Sequence, residues 1–174
     1  MIRTFALLLA MLGQGATPQL VDQSGHAFTL ASLRGHPVAI TFVSAHCTDA
    51  CPLINAQFAR AAEIIAQRKI DATLLTITLD PEHDSRADMR KIAREFAANP
   101  HHWLIAGGTI LNVSAVMQRF GVIATSGKNG YREAHTTFVY VLDAHGNLAR
   151  TMLASTGLAE DVVEALAGPK VAAR

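Results

Sequence analysis

The amino-acid sequence predicts an α/β domain: a central, mainly parallel sheet flanked by helices, extended at its amino-terminal side by a β-hairpin. Three observations predict it. Two continuous apolar runs, VAITFV at 38–43 and ATLLTITL at 72–79, have the pattern of strands buried on both faces. The stretches that follow them repeat apolar residues at helical spacing. Strands that alternate with helices in this way build sheets covered on both sides. The chain has 174 residues, half of them hydrophobic, which suits one such domain with its own core.

The elements follow in order. Asp22-Gln23-Ser24-Gly25 reads as a turn, and with Phe28-Thr29-Leu30 after it predicts the hairpin. The strand 38–43 comes next, then a loop over 44–50 that carries His46 and Cys47. A helix is expected to start near Cys51-Pro52, because proline fits a first turn whose N–H has no partner. Ile54, Phe58, Ala61, Ala62 and Ile65 form its inward face. The strand 72–79 ends at Asp80-Pro81. Ser85, with Asp88 three residues on, caps a second helix that faces inward through Met89, Ile92, Ala93, Phe96 and Ala97, with Asn99-Pro100 as its stop. A short strand spans 102–106, and a third helix spans 109–120 with Gly121 as its stop. No element is assigned from there to Thr136. TTFVYVL at 136–142 is a strand, and the turn 143–147 leads into a partner strand over 148–152. A last helix over 158–166 closes at Gly168-Pro169. This order matches a thioredoxin-like fold with an amino-terminal extension.

The charge is balanced, 15 basic against 14 acidic side chains, with no basic arm or charge block, so no nucleic-acid partner is expected. The first residues, MIRTFALLLAMLGQGA, place Arg3 before a short apolar run and small residues. That is a signal-peptide pattern, so residues 1–16 are expected to be an export signal and 17–174 the domain. The run is far shorter than the ~20 residues of a membrane span. No cysteine follows it to take a lipid anchor, and a periplasmic or otherwise exported protein is expected.

Cys47 and Cys51 are the two cysteines of the chain, and three residues separate them. They cannot staple distant elements, and closing so small a loop stabilises a fold little. Their place, at the end of a buried strand and the start of a helix, is where α/β sheets gather ligand sites. A helix amino terminus favours thiolates, which are both nucleophiles and metal ligands. If the turn between them is helical, the two lie ~5.4 Å apart along its axis. Such a pair can hold a soft metal ion, Cu(I) or zinc, when reduced and bond to itself when oxidised. A third ligand must come from elsewhere. Of the eight histidines, His135 is the best candidate, since it stands just before the strand 136–142. His46 adjoins Cys47 and competes with it. His83 could lie nearby, whereas His101 and His102 are expected outside the site.

Several motifs then coincide. SAHCTDACP at 44–52, TLDPEHDS at 78–85, EAHTTFVYVLDAHGN at 133–147 and LVDQSGHAFTLASLRG at 20–35 occur in the order found in the Sco/SenC family, and the chain resembles that family over residues 20–152. The resemblance implies copper as the bound metal and Cys47, Cys51 and His135 as its ligands. It aligns Asp80 with an acidic residue beside the site, where it would orient a ligand or partner; the other reading of Asp80-Pro81 is a helix-entry turn. Thr48 and Glu133-Ala134 depart from the family's usual proline and Val-Asp. The implied function is a metallochaperone that delivers copper to a cuproenzyme. The acceptor implied is the CuA centre in subunit II of cytochrome c oxidase, with another copper chaperone as a possible supplier. The alternative is a thiol–disulfide oxidoreductase that reduces the acceptor's cysteines, with Cys47 attacking and Cys51 resolving. Oxidoreductases of this fold place a cis-proline opposite the cysteines. The matching segment here, His135-Thr136-Thr137, has none, which favours copper. A peroxidase on the same fold is a poorer match, since the residues around Cys47 lack the expected partners.

Overall fold

A computed structural model gives the fold, and describes residues 17–48, 50–127, 130–134 and 137–168. The expected signal segment, residues 1–16, lies outside them. Strands β1 (Leu20–Asp22) and β2 (Ala27–Phe28) form the amino-terminal hairpin. The Asp22 carboxylate closes its turn by accepting the N–H groups of Ser24 and His26 at 2.8 and 2.9 Å. Gly25 supplies the left-handed φ of +96° the turn requires. Leu30, expected to close the hairpin, instead starts a 3-10 helix (Leu30–Leu33) capped by Thr29 and is buried.

Strand β3 (Val38–Val43) is buried along its whole length and leads to helix α1 (Ala50–Arg68). Strand β4 (Thr73–Thr78) is equally buried. Helix α2 (Arg86–Glu95) starts at the expected cap, with Ser85 and Asp88 satisfying each other's backbone N–H groups. It ends four residues before the expected Asn99-Pro100 stop. Ala97 turns left-handed at φ +51°, and Ala98 and Ala97 donate back to the carbonyls of Ala93 and Arg94, a Schellman ending. Strand β5 (Trp103–Gly107), helix α3 (Ile110–Arg119), strand β8 (Phe138–Leu142), strand β9 (Leu148–Leu153) and helix α4 (Leu158–Ala167) fall where the sequence puts them. A small separate hairpin, β6 (Ala124–Ser126) with β7 (Arg132–Ala134), occupies the stretch without an assignment.

The main sheet has seven strands in the order β2-β1-β5-β4-β3-β8-β9. Its parallel part is the centre, β5-β4-β3. The expected mainly parallel character stops there, because the four other pairings are antiparallel. For two of them the reason is local: β1–β2 and β8–β9 are joined by short turns, and only antiparallel neighbours can be joined that way. Side-chain alternation along the central strands feeds two cores. Ala39, Val43 and Leu74 pack under α1, α2 and α4, with Phe58 and Trp103 fully buried. Ile40, Phe42 and Ile77 pack on the other face against Val113, Val116 and Met117 of α3.

Candidate metal centre

The cysteine loop leaves the carboxyl end of β3, and its backbone is fastened residue by residue. The N–H of Cys47 donates to the Ser44 carbonyl at 3.2 Å, and the N–H of His46 to Ser44 Oγ at 3.3 Å. Cys51 sits in the first turn of α1 and is buried, while Cys47 is half-buried. Both thiols are free and lie near enough for Cys47 to perturb Cys51. The expected helical spacing does not bring them together, since Cys47 precedes the helix, which begins at Ala50. The fastened loop does so instead. A second expectation is also corrected. The helix terminus was to lower the thiol pKa values, but at Cys51 burial wins. Desolvation pushes its thiol well above the ordinary range, the neighbouring Cys47 thiol adds to the rise, and a backbone hydrogen bond to Ser44 offsets part of it.

Asp84 ties the loop to the rest of the fold. Its buried carboxylate accepts the Ala45 N–H at 3.0 Å, His46 Nδ1 at 3.0 Å and the Thr78 hydroxyl at 2.5 Å. Burial pushes the Asp84 carboxyl above the usual range, the three hydrogen bonds pull it back, and neighbouring Asp80 adds to the rise. Asp80 is fully buried and does two things. Its carbonyl accepts the N–H groups of His83 and Asp84, which makes the turn after β4. Its carboxylate accepts His83 Nδ1 at 2.9 Å and the Arg132 N–H at 2.9 Å. Tyr131 packs between the two imidazoles, stacked on His46 at 4.0 Å and edge-on to His83 at 5.1 Å.

His135 lies outside the described residues. The topology nevertheless separates the other histidines. His36, His101 and His102 precede β3 or β5, and His26 and His145 lie in the β1–β2 and β8–β9 turns, all at the opposite end of the sheet. His46 and His83 stand at the cysteine end. Strand β8 runs antiparallel to β3, with Val139 opposite Thr41, so it enters the sheet at that same end. Among the described residues, no group of three or more His, Cys, Asp and Glu side chains is arranged to hold a metal ion.

Sequence reasoning missed Asp84, Thr78 and Tyr131. Asp84 and Thr78 lie in the recognised TLDPEHDS segment, so a signal existed for them, but the Asp84 partners His46 and Ala45 are 38 and 39 residues away. Tyr131 had no signal beyond being one of two tyrosines.

A family model described as SCO1/SenC matches residues 14–168. The chain belongs to this family. The SCO2-like protein RP587 of Rickettsia prowazekii (strain Madrid E) is 30% identical over 138 residues, which are 76% of this chain and 65% of that protein. The chain thus spans just under two thirds of that curated relative's length. Among solved structures, Bradyrhizobium japonicum ScoI with copper bound superposes with a TM-score of 0.70 and 29% identity, covering 83% of this chain and 94% of that one. BsSco, described through its disulfide switch as a member of the Sco family of cytochrome c oxidase assembly proteins, gives a TM-score of 0.71 at 19% identity, over 83% of this chain and 86% of that one. These likenesses bear out the thioredoxin-like fold.

Proposed function

We propose that this chain carries copper through Cys47, Cys51 and His135 and hands it to a cuproenzyme. The observation that carries the reading is the pair of free, neighbouring thiols at a sheet end, in a chain of the SCO1/SenC family. Two thiolates suit Cu(I), and an added imidazole extends the set to Cu(II). Copper-bound ScoI, 29% identical to this chain, supports the choice of metal. The acceptor proposed is the CuA centre of cytochrome c oxidase subunit II, and a second copper chaperone is the proposed donor. Copper is cargo here and passes by ligand exchange. We place the protein in the periplasm or an equivalent exported compartment, with residues 1–16 as its signal. No helix among the described residues is long and apolar enough to cross a membrane.

Anaerobic competition titration with Cu(I) and Cu(II) tests the reading. The reduced protein is expected to bind one copper. Cys47→Ala and Cys51→Ala should lose both ions, and His135→Ala should weaken Cu(II) most. Unchanged binding of both ions by His135→Ala would remove His135 from the site.

One observation favours a second reading. Cys47 is the more accessible thiol and touches the buried Cys51, as attacking and resolving cysteines must. Turnover of a disulfide substrate that vanishes in Cys47→Ser would establish this activity.

A further inference from the structure

We infer that Asp84 is the positioning residue of the cysteine site, holding the Cys47 loop against the end of β4 in the geometry that keeps the two thiols together. Three contacts carry this. The carboxylate takes the backbone N–H of Ala45 and the ring of His46, the two residues that precede Cys47. It takes the hydroxyl of Thr78, the last residue of β4. It is itself buried, so water cannot replace these partners at equal strength. Tyr131 stacks on the same His46 ring and completes the grip.

The Thr78 hydroxyl also accepts the Asp80 N–H at 3.0 Å. Asp80 in turn holds Arg132, at the start of β7. One hydroxyl therefore joins the Asp84 carboxylate to the Asp80 backbone, and the two carboxylates carry different loads. Asp84 holds the side of the site that bears Cys47. Asp80 holds the strand that runs toward His135. Losing Asp84 should act on the thiols, and losing Asp80 on the strand, so the two are separable by experiment.

The test compares Asp84→Asn with Asp80→Asn and needs no metal for its first arm. Thiol–disulfide equilibrium of Cys47 with Cys51 is measured against dithiothreitol, and amide exchange is read over 44–48 and 132–134. Asp84→Asn should shift the equilibrium toward the dithiol by about fivefold, the worth of one net hydrogen bond, because a loosened loop holds the thiols together less, and speed exchange in 44–48 above the global change. Asp80→Asn should speed exchange in 132–134 and leave the thiol equilibrium near that of the parent. Thr78→Val should reproduce part of the Asp84→Asn shift and Thr78→Ser none of it. An unchanged equilibrium in Asp84→Asn, or exchange that rises evenly along the chain, would overturn the inference.

The second arm rests on the proposed function. Cu(I) affinity should fall about fivefold in Asp84→Asn, and Cu(II) affinity should fall more in Asp80→Asn. If the parent binds no copper while the thiol arm holds, the copper reading fails and the positioning role stands.

Discussion

Cys51 and Cys47 are four residues apart and differ in kind. Cys51 is buried in the first turn of α1, and desolvation holds its thiol protonated at neutral pH. Cys47 lies in the loop before the helix and is half-buried. Alkylation by iodoacetamide requires an accessible thiolate. In a mass-mapped time course at pH 8 we expect Cys47 to be modified first and Cys51 to react only slowly; equal rates would contradict the burial assigned to Cys51. At this scale the sequence showed the cysteine pair and its place at a strand end. The loop position already marked Cys47 as the more exposed thiol, but the depth of Cys51 was not legible, because it depends on core residues such as Val139 and Leu158 that arrive from far along the chain. Nor could the sequence show Asp84 as an anchor. A carboxylate in an acidic loop looks the same whether it faces water or three donors. His135 was singled out by its place before a strand, and its ligand role rests on the family resemblance alone.

Helix α2 shows which signals are local and which are not. Its start was legible because a capping box is written in four consecutive residues, Ser85 to Asp88. The Ser85 hydroxyl holds the Asp88 carboxyl below the usual carboxylate range, and its backbone N–H adds to the effect. A carboxyl with a depressed folded pKa contributes stability that is present above its unfolded value of 3.8 and lost as pH falls through the folded value. Ser85→Ala should therefore cost about 1 kcal/mol at neutral pH, and less once Asp88 is protonated. Urea unfolding at pH 7 and in the acid range measures both. The helix end was not legible, because its left-handed residue is Ala97 where glycine is usual. Ala97→Gly should raise stability by about 0.5–1 kcal/mol, since glycine takes φ +51° without the Cβ clash. A drop in the urea midpoint would contradict that. The β6–β7 hairpin escaped for another reason. Its strands are three residues each and lie apart from the main sheet, so they carry no burial pattern to read.

At the scale of the molecule, the sheet makes the site by direction. β3 and β4 run parallel and end together, which brings the cysteine loop and the Asp80–Asp84 turn side by side. β8 runs against β3 and so begins at that end. The parallel centre was legible because strands buried on both faces have continuous apolar runs. The antiparallel flanks were under-counted, because a run of apolar residues does not state its direction. The arrangement predicts how copper and protons compete. A metal that takes the Cys51 sulfur must displace a proton held by burial, so one proton is released from this group across the whole neutral range. Raising pH lowers the proton concentration and therefore tightens binding. Each proton released contributes about tenfold in apparent Cu(I) affinity per pH unit. Competition titrations at pH 6, 7 and 8 should show at least this slope in the parent, and Cys51→Ser should bind no copper at any of the three. The same binding acts on the folded state alone, so loading should raise the melting temperature, by an amount that grows with free copper over its dissociation constant. An affinity that did not change with pH, together with a melting temperature unmoved by copper, would mean that the buried thiol is not a ligand.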